Sequence, residues 1–455
     1  MPSTLAESLG RLARSPGFKF FLVAALILLL SIPLALVWFL VSERESRSAA
    51  VTAEVAQLFG ARQQIIGPLL IVPYTVRVAR VQNDKTIEGT EERYAVFLPD
   101  DFTASGEAES EIRRRAIYDV TLYKARLTIS GRFPSPDIRL VDPDAASVRW
   151  RDAFLSLALS DVSGLKQAAA IRIGGNQAIG FEPSIGLPNN ATPGLHARLF
   201  PVDASIDQPP AAFSFETELA FNGSSSLTIA PIGRETRISL SSDWPHPSFS
   251  GAFLPDTREV TKDGFTASWR VPHLARSIPQ AWRVAASQPY IHNELHAVAS
   301  GVDFFVPVDY YALVNRSAKY GLMFLAVAFF GVLVLELTSG RRVHAVQYVF
   351  VGLAMILFYI LLLSLSEHIG FTGAYLIASA ATAGMVSLYV GRSLQSAARG
   401  GIMLMVFLIL YGLLYLILRL EDYALLAGAV AGFVMLTVTM FATLRVNWSG
   451  EAAEK

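Results

Sequence analysis

The chain has 455 residues, of which 52% are hydrophobic and only 17% are charged, and its formal net charge is zero. Its mean hydropathy is +0.41. This composition is too apolar for an ordinary soluble enzyme, and the absence of net positive charge argues against a nucleic-acid partner. It indicates a membrane protein.

The first predicted element is an apolar helix at residues 20–41. A hydrocarbon core of about 30 Å needs roughly 20 apolar residues of helix. The apolar stretch is longer than the roughly 7–15 residues of a secretory signal. We therefore interpret it as an uncleaved transmembrane anchor.

The next region, residues 42–318, takes up more than half of the chain and is predicted to be mostly β. Its charges nearly balance, with 27 Lys and Arg against 31 Asp and Glu. A short helix is expected over residues 47–59, where Gly60 supplies a stop. Apolar and polar residues then alternate with period two, which predicts strands with one buried face. The segments that show this alternation are 117–133, 213–221, 225–232 and 234–240.

Proline and cysteine refine the prediction for this region. Gly67, Pro68 and Pro73 interrupt the stretch IIGPLLIVPY, so we expect a strand near a sheet edge, because proline cannot donate to a ladder. Residues 183–211 are rich in Pro and Asn and are predicted to form a long loop or a subdomain boundary. The chain has no cysteine, so the region must be held by its core alone.

Five further apolar helices are predicted after this region, at residues 320–335, 345–365, 371–390, 402–418 and 423–444. Lys and Arg near helix ends set orientation in a membrane, with the positive ends in the cytoplasm. With six spans, these cations fall on one side: Arg11, Arg14, Lys19, Arg341, Arg342, Arg392, Arg399 and Arg445. Region 42–318 and the joint SEHIG, which contains Glu367 and His368, then fall on the opposite side.

Two polar features near the apolar helices allow alternatives. Glu367 and His368 form either a polar turn wetted by water or a contact that locks the β region against the helical bundle. Glu336 and Lys319 lie at the two ends of the second predicted span, where snorkelling to the interface is enough to account for them.

No catalytic, cofactor or metal site is predicted. The sequence has no GxSxG elbow, no Walker A loop and no GxGxxG that opens a helix. The nearest approach to a metal motif is HNELH, whose His292 and His296 would share a face of a helix. This is not the HExxH order of a zinc protease, and a surface pair is the simpler interpretation.

The segment SSDWPHPSFSGAFLP, residues 241–255, crowds Trp244, His246 and Phe249 among prolines. One interpretation is a rigid turn that caps the β core. The other is a docking loop, because large aromatic residues are frequent binding anchors.

Several stretches together resemble the CreD family of bacterial inner membrane proteins. They include GPLLIVPY (67–74), LTISGRF (127–133), PIGRETRISLSSDWPHPSFSGAFLP (231–255) and HAVQYVFVGLAMILFYILLLSLSEHIGFTGAYLIA (344–378). Ala116 stands where the family often has Gly. The resemblance implies a role in cell envelope integrity under two-component regulation, linked to colicin tolerance and β-lactam stress, and it implies no active site.

The predicted fold is an α+β membrane protein with an N-terminal transmembrane anchor, a large mostly-β periplasmic domain and a C-terminal five-helix transmembrane bundle. The predicted domains are a cytoplasmic N-terminus (1–19), helix 1 (20–41), the periplasmic domain (42–318), helices 2–6 (319–444) and a cytoplasmic tail (445–455). Both termini would be cytoplasmic, at the inner membrane.

Three functions remain open on the sequence. The favoured one is a non-enzymatic protein that helps maintain envelope integrity by binding a partner or envelope component through its β domain, with an envelope protein as the possible partner. The alternative is a transporter or lipid-handling protein, which a polar cavity within the helical bundle would support. The third is a periplasmic hydrolase, which a pocket joining carboxylates to His246, His273, His292 or His296 would support.

Overall fold

The computed structural model describes residues 16–82, 85–188, 190–201, 206–285, 293–304, 310–339, 341–420 and 424–443. The chain divides into two compact units. We call residues 1–49 with 308–455 the helical unit and residues 50–307 the β unit. The β unit is thus an insertion between two parts of the helical unit.

The described helices are α1 (Pro16–Phe59), α2 (Asn293–Val298), α3 (Tyr310–Lys319), α4 (Gly321–Ser339), α5 (Ala345–Ile369), α6 (Phe371–Ser393), α7 (Ala397–Arg419) and α8 (Ala424–Thr443). Among the described residues, α1, α4, α5, α6 and α7 are long and apolar enough to cross a membrane. This confirms the predicted α+β class with an N-terminal apolar helix and C-terminal apolar helices. The span predicted at 423–444 corresponds to α8, and its first and last residues lie outside the described residues.

The N-terminal helix differs from the prediction in its length. A single helix, α1, covers both the anchor predicted at 20–41 and the short helix predicted at 47–59. Residues 42–46 between them contain neither Gly nor Pro, so nothing in the chain breaks the helix there. The predicted stop is confirmed, because α1 ends at Phe59 and a Cβ atom on Gly60 would lie 2.3 Å from the Asn222 carbonyl oxygen.

The β unit contains the strands β1 (Gln63–Gln82), β2 (Lys85–Phe97), β3 (Asp101–Arg115), β4 (Tyr118–Phe133), β5 (Ala145–Val148), β6 (Phe154–Leu159), β7 (Ala170–Ile173), β8 (Ile179–Gly180), β9 (Glu182–Pro183), β10 (Gly194–Arg198), β11 (Phe213–Ser224), β12 (Ser226–Ile229), β13 (Glu235–Ser242), β14 (Pro247–Gly251), β15 (Thr257–Thr261), β16 (Gly264–Pro272), β17 (Ala281–Ala285) and β18 (Ser300–Phe304). All four segments with period-two alternation contain a strand.

The strands of the described residues form two large sheets. Sheet A has ten strands, in the order β14-β18-β12-β1-β6-β10-β9, with β2 and β5 also paired to β1 and β17 paired to β2. Sheet B has eight strands, in the order β15-β16-β13-β3-β4-β11-β7-β8. Apolar side chains of both sheets belong to one buried core, which includes Tyr74 and Leu155 of sheet A and Phe102 and Trp269 of sheet B. This shared core holds the β unit together without a disulfide.

The strand that contains Pro68 and Pro73 is central, so its predicted place near a sheet edge was wrong. β1 pairs with β12, β2, β5 and β6. Its register against β6 shifts between Ile66 and Leu69, where Pro68 lies. Pro73 falls between the stretch that pairs with β6 and the stretch that pairs with β5. Pro68 therefore lies at an interruption of the β1–β6 ladder and Pro73 at the gap between the β6 and β5 ladders, which is how a central strand tolerates them.

The prediction of a long loop over 183–211 was also wrong for part of its length. Residues 194–198 form β10, which pairs along its whole length with β6 in sheet A. The short β9 adds to its other side. The proline-rich composition marks the connections around β10 and not a boundary between the two units, which falls elsewhere.

The turn between β3 and β4 contains Ala116, which stands where the family that the sequence resembles often has Gly. Arg115 pairs with Tyr118, so Ala116 and Ile117 alone form the turn. Ala116 has a φ of 56°, in the left-handed region. This conformation costs an alanine roughly 1 kcal/mol or more, whereas glycine adopts it freely.

We predict that Ala116→Gly raises the free energy of unfolding of the β unit by about 1 kcal/mol, because it removes the steric cost of the turn. Thermal or denaturant unfolding of the purified chain measures the change. The control is Ala212→Gly, since Ala212 is exposed and has no positive φ. An equal effect of the two substitutions, or a loss of stability in Ala116→Gly, would contradict the explanation.

Candidate functional site

The first candidate, Glu367, lies near the end of α5 and is largely buried within the helical unit. Its Oε1 atom accepts a hydrogen bond from the Tyr311 hydroxyl at 3.1 Å and lies 4.0 Å from Arg44 Nη1. Only 8% of its side chain is exposed. His368 instead is exposed, with Nδ1 2.9 Å from the Ser364 carbonyl oxygen. The two neighbours therefore have different environments.

The partners of Glu367 lie on two particular elements. Arg44 belongs to α1, from which the chain runs into the β unit, and Tyr311 belongs to α3, which follows the β unit in sequence. Glu367 thus joins to α5 both chain segments that connect the two units. A contact of Glu367 and His368 with the β unit itself stays a prediction.

A second carboxylate, Glu336, is buried near the end of α4, with 2% of its side chain exposed. It forms a salt bridge with Lys19 of α1. It also accepts hydrogen bonds from the Tyr348 hydroxyl and the Val343 amide, each at 2.9 Å. Snorkelling was therefore the wrong explanation for Glu336, whereas Lys319 is exposed. Sequence reasoning missed the pair because Lys19 is 317 positions away.

The two carboxylates contact opposite ends of the apolar part of α1. At a rise of about 1.5 Å per residue, Lys19 and Arg44 are separated by roughly 38 Å, slightly more than a hydrocarbon core of about 30 Å. Between them α1 packs on glycines. A Cβ atom on Gly352 would lie 2.3 Å from Leu30 Cδ1, and one on Gly321 would lie 2.8 Å from Leu34 Cδ1. The buried face of α1 consists of Val23, Leu30, Leu34, Val37 and Val41.

The candidate docking residues of the 241–255 segment differ in their exposure to solvent. Trp244 is buried, and its Nε1 donates to the His246 carbonyl oxygen at 3.1 Å. Phe249 is half-buried and packs edge-on against Phe265 and Trp269, with ring centroids 5.7 and 6.0 Å apart. His246 is exposed. Two aromatic side chains therefore fix the segment to the core, and the docking role itself stays a prediction.

The HNELH motif lies only partly within the described residues. His292 lies outside the described residues. His296 is on α2, with Nδ1 2.5 Å from Gln64 Oε1 and its carbonyl oxygen bonded to Gln64 Nε2 at 3.0 Å. Among residues with a described position, no three His, Asp or Glu side chains are grouped so that they could hold a metal ion.

The structure does bring one other histidine near a carboxylate. His196 of β10 lies opposite Glu182 of β9, with Nε2 3.6 Å from Oε2. Its Nδ1 is 3.0 Å from the Ser184 carbonyl oxygen. Ser156 faces His196 across the sheet, but its hydroxyl donates to the Ile185 carbonyl oxygen at 2.8 Å. A nucleophile needs a hydrogen bond to its base, and this serine is bonded to the backbone instead.

A buried polar cluster surrounds Asp142, whose side chain is 2% exposed. Its Oδ2 accepts from the Tyr74 hydroxyl at 2.9 Å and from Arg93 at 3.0 Å, and Arg283 lies 3.7 Å away. Burial by itself raises the pKa of Asp142, but hydrogen bonds from Tyr74, Arg93 and the Asp144 amide together bring that pKa below its usual value. Burial likewise raises the pKa of Tyr74. The cluster ties β1, β2 and β17 together, and sequence patterns gave no signal for it.

The chain matches a known protein family over nearly its whole length. Residues 15–449 match the family described as "Inner membrane protein CreD". The chain belongs to the CreD family. It is 31% identical over 422 residues to the inner membrane protein CreD of Escherichia coli (strain K12), covering 93% of this chain and 91% of that protein. The resemblance seen in the sequence is thereby confirmed, and the apolar helices of this family member are in contact with the lipid bilayer.

We predict that Asp142→Asn lowers the free energy of unfolding by about 2–3 kcal/mol at neutral pH, because Arg93 and Arg283 lose their buried anionic partner. The folded-state pKa of Asp142 lies below its unfolded value. Its stabilisation is therefore present above about pH 4 and is lost as pH falls through the folded pKa.

Unfolding of the parent and of the Asp142→Asn variant between pH 7 and pH 2 measures this effect. The stability difference between them should shrink below about pH 4. Asp119→Asn is the control, because the Asp119 side chain is 66% exposed and its ion pair with Arg114 is at the surface. A difference that persists unchanged at pH 2 would contradict the role of the charge.

Proposed function

We propose that this chain is a non-enzymatic inner-membrane protein that helps to maintain cell envelope integrity by binding an envelope protein through its β unit. The family supports the membrane location. The arginines at the ends of the apolar helices support cytoplasmic termini and a periplasmic β unit. The observation that carries the binding function is the edge strand β14.

β14 is the terminal strand of sheet A in the described part of the chain, with β18 on its inner side. An edge strand presents unpaired backbone N–H and C=O groups, to which an extended segment of another protein can add as a further strand. Ser248 on β14 and His246 just before it are both exposed. They are the side chains that a partner strand would meet first.

The edge strand β14 is already ordered in the absence of a partner. Trp244 is buried on one side of His246, and Phe249 packs on Phe265 and Trp269 on the other. A surface that is already ordered loses little conformational entropy when it binds. Trp244 and Phe249 therefore anchor the 241–255 segment to the core, and the exposed His246 contacts the partner.

A binding function also agrees with the chemistry of the described residues. A hydrolase needs a nucleophile hydrogen-bonded to a base that is itself oriented. His196 is half-buried and pairs across the strands with the exposed Glu182, and the hydroxyl nearest in register is bonded to the backbone. These contacts support structural roles for the groups that catalysis would use.

We predict that photo-cross-linking probes at positions 246 and 248, introduced one at a time in living cells, capture the same envelope protein. A probe at position 140 is the control, because Leu140 is 80% exposed and lies outside the 241–255 segment. Ser248→Lys should reduce capture from position 246 several-fold, since a lysine on an edge strand opposes strand addition. Mass spectrometry identifies the captured species.

Two results would contradict the proposal. One is capture of the same protein with equal yield from position 140. The other is capture of lipid alone, which would favour the lipid-handling alternative.

A further inference from the structure

A groove lies between α6 and α7, next to the turn that connects them. Its volume is about 450 Å³. Its lining includes Gly384, Ser387 and Leu388 of α6 and Ser396, Gly401 and Leu404 at the start of α7. Both helices are long and apolar enough to cross a membrane, so a molecule in this groove would lie on the flank of membrane-spanning segments.

The floor of the groove is backbone. A Cβ atom on Gly391 would lie 3.1 Å from the Gly400 Cα atom, so the two helices touch at this point. Gly384 and Gly401 have no atom within 4 Å of a Cβ position. Leu388 is 69% exposed and Leu404 is 38% exposed, and they form apolar walls. This part of the groove fits a hydrocarbon chain.

The other end of the groove is polar and electropositive. α7 begins at Ala397, and Ser396 caps it by accepting from the Arg399 amide at 3.4 Å. The first turn of a helix has amide groups without intrahelical partners and carries partial positive charge, so it favours an anion. Arg392 is exposed and also lines the groove. The N-terminus of α7 and Arg392 therefore both place positive charge at the same end of the groove.

Ser387 provides independent evidence that a polar ligand belongs here. It lines the groove and is 5% exposed. Within the described part of the chain, its hydroxyl oxygen is buried without a hydrogen-bond partner. Buried hydroxyl groups are normally paired, because an unpaired one costs free energy. An acceptor atom of a bound molecule would satisfy it.

We infer that this groove binds an anionic phospholipid. The phosphate lies at the N-terminus of α7 beside Arg392, an ester oxygen accepts from Ser387, and an acyl chain lies on the glycine floor between Leu388 and Leu404. Free phosphate would share the polar end of the site but would leave the apolar walls without a ligand. The inference is independent of the function proposed for the β unit.

The test is native mass spectrometry of the purified full chain, titrated with dioctanoyl phosphatidylglycerol. Dioctanoyl phosphatidylcholine and inorganic phosphate are the comparison ligands. Arg392→Gln removes the charge, and Gly401→Leu fills the groove. We expect Arg392→Gln to bind phosphatidylglycerol at least about fivefold more weakly, which is the contribution of one arginine near an anionic lipid surface. Gly401→Leu should weaken binding as well, because its side chain occupies the space of the acyl chain.

The chain offers matched controls. Arg341→Gln removes an exposed arginine outside the groove. Gly412→Leu adds the same side chain to the same helix, at a position with no atom within 4 Å of Cβ and outside the groove lining. Both controls should bind like the parent. Gly384→Leu fills the groove from α6 and replaces Gly401→Leu if that variant does not fold.

Selective loss of phosphatidylglycerol binding in the groove variants supports the inference. Equal binding by all variants would overturn it, and so would equal affinity for phosphatidylcholine. Binding of inorganic phosphate that competes fully with the lipid and is insensitive to the groove-filling leucines would also overturn it, because the site would then be one for a free anion.

Discussion

The ion pair between Lys19 and Glu336 is the interaction on which the helical unit depends. It joins α1 to α4 across 317 positions of sequence. A carboxylate that is 98% buried is stable as an anion only when it is paired and hydrogen-bonded. Glu336 meets this requirement with Lys19, Tyr348 and the Val343 amide. The same carboxylate therefore fixes both α1 and the chain that leads into α5.

Glu367 repeats this arrangement at the other end of α1. It contacts Arg44 of α1 and Tyr311 of α3, the two segments through which the chain enters and leaves the β unit. The acid in the SEHIG joint therefore links α5 to α1 and α3 within the helical unit. His368 has no such contact in the described structure beyond the Ser364 carbonyl oxygen.

Local patterns predicted the apolar helices and several of the strands, but they did not predict the long-range contacts. Apolar runs located α4–α7, because a membrane-spanning helix is apolar along its length, and period-two alternation located β4, β11, β12 and β13, because such strands have one buried and one solvated face. The central position of β1 was missed because Pro68 lies at a register shift against β6 and Pro73 lies between the β6 and β5 ladders, which only the register reveals. The Glu336 pair was missed because hydropathy says nothing about which distant cation will meet a buried acid. Trp244 shows the same limit, since an aromatic residue in a proline-rich segment anchors a core as readily as it binds a partner.

The most direct test of this account measures whether the ion pair positions α1. The chain has no cysteine, so Leu30→Cys with Gly352→Cys, whose positions are in contact, reports the packing of α1 through disulfide formation in membranes. Lys19→Glu or Glu336→Lys alone should reduce the disulfide yield several-fold, and the charge swap that combines them should restore it. Equal yields in all four backgrounds would contradict the claim that this pair holds the N-terminal helix in place.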